Sequence, residues 1–132
     1  MLSKIILTLT FLVACGTCNE IPQRVSKWDE FTAPVVEKCM KESNTALSLV
    51  EEISKIRKVP NDANFGCFLK CVYEYLKLFN ANNEFDKQTL MDTFFYIDEN
   101  IADTCIKEAS SGTDLCRKSY LMGDCVVRAA FN

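Results

Sequence analysis

Apolar residues return every three or four positions through most of this sequence, the period of an α-helix, and two-residue alternation is scarce. Val25, Trp28, Phe31, Val35 and Cys39 share one stripe and predict a first helix, bent near Pro34, which lacks an N–H. Leu47, Leu49, Val50, Ile53 and Ile56 predict a second over 46–58, with Asn44 as its cap and Pro60 as its stop. A third starts at Asn61 or Asp62 and puts Phe65, Phe68, Leu69, Val72, Leu76 and Phe79 on one face. NANNEF (80–85) reads as a polar turn, after which Asp86 caps a fourth helix carrying Leu90, Met91, Phe94 and Phe95. A fifth runs from about Asp98 to Ala109 through Ile101 and Cys105; a loop at 110–113 precedes a sixth over about 114–128. The fold class is therefore all-α, with about six helices.

The first residues follow another pattern. Lys4 precedes a ten-residue apolar run, Ile5 to Ala14, which is followed by small residues. A bilayer span needs about 20 such residues, so the run reads as a cleaved secretory signal rather than an anchor or a buried helix. Cleavage fits after Gly16 or after Cys18. Of eight cysteines, removal through Cys18 leaves six, an even set for an oxidising compartment, whereas a cut after Gly16 strands one thiol. Leu12-Val13-Ala14-Cys15 also resembles a lipobox, but lipidation at Cys15 would leave Cys18 unpaired. The expected organisation is a signal peptide, 1–18, and one domain, 19–132, secreted and without a membrane anchor.

Charge narrows the function. The chain has 15 Lys+Arg against 18 Asp+Glu, and loss of Lys4 takes the net charge from −3 to −4. The acidic residues are scattered and no basic run is interleaved with aromatics, so nucleic acid is not an expected partner. No Asn-X-Ser/Thr sequon is present. The complete lack of histidine removes Ser-His-Asp chemistry, a Cys/His zinc site and any imidazole pH switch. Carboxylate neighbours such as Glu51-Glu52 and Asp98-Glu99 point about 100° apart on a helix and read as solvated surface. We expect no enzyme, no cofactor and no metal. Acid-triggered release, if it occurs, has to work through carboxylates, well below pH 6.

The cysteines carry the most specific signal. Cys67 and Cys71 lie four apart on the third helix, where Cβ atoms stand about 5–6 Å apart, whereas a disulfide needs about 3.5–4.5 Å. Cys116 and Cys125, nine apart, fall on opposite sides of the last helix. Neither pair bonds internally, and the other pairings stay open. Helix three is thus a central post, and short helices tied crosswise can splay and leave a hole. The gaps between the six cysteines are 27, three, 33, ten and eight residues. This spacing resembles the six-cysteine signature of insect odorant-binding proteins, the family of pheromone-binding and general odorant-binding proteins. The three- and eight-residue gaps are the most diagnostic; the 33-residue gap is at the short end.

That resemblance implies the pairing Cys39–Cys71, Cys67–Cys116 and Cys105–Cys125, closing loops worth about 2–4 kcal/mol each. It implies six helices around an internal apolar cavity that carries a small hydrophobic ligand (odorant, pheromone or lipid-like) through extracellular fluid. It also implies a chemosensory membrane receptor as recipient, and a monomer or weak homodimer. Burying twelve methylenes yields roughly 10 kcal/mol and association costs at least about 4, so micromolar binding is expected. The resemblance puts a ligand-orienting hydroxyl two residues after the third cysteine. Here that residue is Tyr73, in place of a short Ser or Thr, and its ring either narrows the pocket or points outward. Leu69 and Leu76 lie near the same face. Trp28, Val35, Val50, Ile53, Phe94 and Met122 are the lining residues expected from neighbouring helices, with Val126 and Phe131 as wall or lid. The alternatives are a saposin-like membrane-active protein and a secreted structural or defence protein without a ligand.

Overall fold

The computed structural model describes residues 20–132; the signal, cleavage and lipobox expectations lie outside the described residues. Eight helical segments follow one another within that range, with one isolated antiparallel bridge, Phe79 to Phe85, between the fifth and sixth.

Two expected helices are each divided. The first becomes α1 (Glu20–Thr32) and α2 (Val36–Ser43). Pro34 breaks the ladder between them and disfavours helical backbone at the residue before it. The second becomes α3 (Leu47–Val50) and α4 (Glu52–Ile56), ended by Arg57 in the left-handed region at φ 55°. Asn44 does not start that helix. It closes α2 in the left-handed conformation, φ 55° and ψ 48°, donating its N–H to the Lys41 and Met40 carbonyls, a backbone state that asparagine tolerates well. Ala46 stands at the start of α3 without a side-chain cap.

The remaining helices start where an aspartate accepts from backbone N–H groups left without helical partners. Asp62 caps α5 (Ala63–Tyr75), Asp86 caps α6 (Lys87–Thr93), Asp98 caps α7 (Glu99–Ala109) and Asp114 caps α8 (Leu115–Ala130). The fourth expected helix is shorter than its apolar stripe suggests. It ends at Thr93, and Phe94 turns to extended backbone. NANNEF forms a turn, but not a wholly polar one: Phe85 is buried and packs on Phe79 at 4.6 Å between ring centroids.

α5 is the post. Cys39–Cys71 joins it to α2, Cys67–Cys116 joins it to α8, and Cys105–Cys125 joins α8 to α7. These are the pairs that the resemblance implies, and every cysteine among the described residues is paired. α5 and α8 cross closely because each has a glycine at the crossing. A Cβ on Gly66 would stand 2.5 Å from the Cys116 carbonyl oxygen, and one on Gly123 would stand 2.6 Å from Leu69 Cδ1. α1, α3, α4 and α6 carry no disulfide. The framework therefore has a braced side, α2-α5-α8-α7, and an unbraced side.

Candidate functional site

An interior apolar cavity lies where those two sides meet. From the braced side come Tyr73 of α5 and Met122, Gly123, Val126 and Val127 of α8. From the unbraced side come Trp28 of α1, Ile53 of α4 and Leu90 of α6. Phe94, Tyr96 and Ile97, in the link between α6 and α7, and Phe131, after α8, close it. Every one of these side chains is uncharged, and the rings form a connected wall. Trp28 meets Phe94 at 6.4 Å, Phe94 meets Tyr96 at 5.5 Å, and Tyr96 meets Phe131 at 5.4 Å.

Seven of the eleven expected lining residues meet here: Trp28, Ile53, Tyr73, Phe94, Met122, Val126 and Phe131. Four do not. Val35, at the α1–α2 turn, lines an outer groove beside Cys39–Cys71. Val50 ends α3, and the break at Glu51 turns it to an outer groove on the other face of Trp28. Leu69 is fully buried but lies against Gly123 in the helix crossing. Leu76 lies just beyond the last turn of α5 and packs at the core's edge. The sequence reading missed Leu90, Tyr96, Ile97, Gly123 and Val127. Leu90 lies on the apolar face predicted for the fourth helix, and Val127 lies within the predicted sixth helix, for which no apolar face is assigned. Tyr96 and Ile97 carry no helical periodicity because they belong to an irregular link, and Gly123 contributes by having no side chain.

The cavity is narrow. The space open to the centre of a water-sized sphere is about 20 Å³, close to what one water requires. A hydrocarbon chain fits only when the walls move apart. Among the described residues no disulfide holds the unbraced walls; they rest on apolar packing of Trp28, Ile53 and Leu90 and on polar links. Ser54 Oγ of α4 donates to Asp29 Oδ1 of α1. Arg24 Nη1 of α1 donates to the Ala130 carbonyl at 2.8 Å, and Asn132 Nδ2 donates to the Arg57 carbonyl at 3.2 Å.

Tyr73 points inward, with 4 % of its surface exposed, and its ring meets Phe85 edge-on at 5.6 Å. Burial pushes its hydroxyl above the ordinary tyrosine range. Burial does the same to Tyr96; the neighbouring Tyr73 adds to the shift and Arg24 opposes it. Both stay neutral donors across physiological pH. Among the described residues no cluster of His, Cys, Asp or Glu could hold a metal ion, and no helix is long and apolar enough to cross a membrane.

Comparisons with known proteins agree with this architecture. The family model of the PBP/GOBP family matches residues 25–129. General odorant-binding protein 99a of Drosophila melanogaster is 26 % identical over 99 residues, covering 70 % of this chain and 69 % of that protein.

Proposed function

The chain belongs to the PBP/GOBP family, and from that premise we propose that it is a secreted carrier which takes a small hydrophobic molecule into the cavity between its braced and unbraced sides. The observation that carries the reading is the lining: twelve uncharged residues from five helices and two adjoining segments converge on one interior space. Aliphatic and aromatic walls with a few hydroxyls suit a flexible hydrocarbon with one polar end. Met122 can shift its unbranched side chain to follow the shape of the guest. The name of the Drosophila relative, a general odorant-binding protein, supports an odorant as the guest, and the same apolar lining suits a pheromone or lipid-like molecule. Delivery to a chemosensory receptor and transport through extracellular fluid are parts of the same proposal. The chemistry is carriage, with no catalytic step.

The test is displacement of a fluorescent naphthylamine probe from the purified protein by straight-chain alcohols, aldehydes, esters and acids of eight to eighteen carbons. Carriage predicts displacement with dissociation constants on the order of micromolar, where burial outweighs association cost. If no compound displaces the probe, the carrier reading is wrong.

A further inference from the structure

One charged side chain reaches the rim of this cavity. Arg24 lies one turn before Trp28 on α1, so the two are neighbours on one face of the helix. Its Nη1 donates to the Ala130 carbonyl at 2.8 Å, next in sequence to Phe131. Trp28 and Phe131 both line the cavity, which sets the guanidinium at the edge of the wall, with 24 % of the side chain exposed.

The guanidinium is only partly used. Its Nε–H is buried and has no hydrogen-bond partner among the described residues. Nη2 donates to Glu20 Oε2 at 3.4 Å, a long contact to an exposed side chain, and surface pairs of this kind contribute little. The Nε–H and the adjacent Nη2 hydrogen form one edge of the planar group, a fork that matches the two oxygens of a carboxylate. Nη1 is committed to Ala130, so this is the edge left over. A buried donor without an acceptor costs free energy. A hydroxyl or carbonyl oxygen meets one of the two hydrogens; a carboxylate meets both.

The walls explain why a charge would stop at the rim. No charged side chain lines the cavity, and carrying a carboxylate inside is unfavourable. An acid that keeps its head on Arg24 and passes its chain between Trp28 and Phe131 leaves the head partly in water and buries methylenes alone. α1 belongs to the unbraced side, the side able to move apart for that chain.

We infer that Arg24 is an anion subsite at the rim of the cavity, and that its spare edge takes the carboxylate of an aliphatic acid whose chain occupies the interior. This rests on the carrier reading and narrows it to a ligand class. Glu20 is the side chain that the acid displaces.

The experiment measures displacement of the naphthylamine probe at neutral pH by dodecanoate and by dodecanol, on the wild-type protein, Arg24→Gln and Glu20→Gln. Arg24→Gln should weaken dodecanoate about ten-fold, the lower part of the range for hydrogen bonds to a charged group, and dodecanol by less than about two-fold. The two compounds share one chain, so a general loosening of the fold through loss of the Ala130 link weakens both alike. An equal loss therefore overturns the inference, as does an unchanged dodecanoate affinity. Glu20→Gln alters an exposed residue and removes the competitor; it should strengthen dodecanoate about two-fold and leave dodecanol unmoved. Weaker dodecanoate binding in that variant also counts against the subsite. If dodecanol displaces the probe from the wild-type protein and dodecanoate does not, the inference fails and the carrier reading stands, whereas failure of both compounds overturns both.

Discussion

Gly66 and Gly123 show how much a missing Cβ decides at single positions. Each sits inside a helix, where glycine is disfavoured by about 1 kcal/mol relative to alanine. Yet α5 and α8 meet through them, and at Gly66 the obstacle to a Cβ is the Cys116 carbonyl at 2.5 Å, which is backbone. Gly66→Ala should therefore destabilise the protein by about 1–3 kcal/mol in denaturant unfolding, overpacking outweighing propensity. Gly123→Ala meets the Leu69 tip, which can rotate, and should cost less. Ser119 is the reverse case. Its Oγ is fully buried without a hydrogen-bond partner among the described residues, so Ser119→Ala should stabilise by about 1 kcal/mol. The tyrosines set the alkaline limit. Tyr73 and Tyr96 have folded-state values raised by burial, so their contribution is complete below about pH 10 and is lost as pH rises and the unfolded chain ionises. Above pH 10, stability should fall by roughly 2.7 kcal/mol per pH unit for the pair. The Tyr73→Phe/Tyr96→Phe double variant, followed by denaturant titration at several pH values, should lack that slope.

Among the elements, α4 is the most easily loosened wall. It has five residues, carries no disulfide and is tied to α1 by Ser54 and Asp29. Ser54→Ala should lower stability by less than about 1 kcal/mol, since the pair is exposed, while accelerating release of a bound probe in stopped flow. An unchanged release rate would show that α1 and α4 do not part to admit a guest. The helices themselves were largely legible, because periodic apolar stripes and aspartate caps are local signals; Asp86, Asp98 and Asp114 start their helices where the sequence suggests. Breaks and reversals were not. Asn44 resembles a start signal, but the chain needs a left-handed residue there to leave α2, a requirement set by packing. The stripe through Leu90 and Phe94 looked continuous, but the backbone turns at Phe94. That turn buries Phe94, Tyr96 and Ile97 and leaves Phe95 60 % exposed. For the same reason the cavity was only partly foreseen: stripe residues such as Trp28, Ile53 and Met122 could be read from periodicity, whereas those in the α6–α7 link could not.

At the scale of the whole molecule the disulfides differ in access. Cys105 and Cys125 are buried, whereas Cys67 and Cys116 border two surface grooves. Limited reduction followed by alkylation and peptide mapping should open Cys67–Cys116 first and Cys105–Cys125 last, because exchange needs an approaching thiolate. Removing the Cys67–Cys116 link, which spans 49 positions, should cost about 4 kcal/mol if loop entropy dominates. The bracing has a further outcome. An interior with room for barely one water, fixed by sulfur on one flank and by side-chain packing and polar links on the other, cannot admit a guest at the pace of collisions. Uptake has to wait for the looser flank to swell, so loading should level off as guest concentration rises. Once the flank shuts again, departure faces the same wait, and the cargo is retained for longer than its affinity alone would suggest.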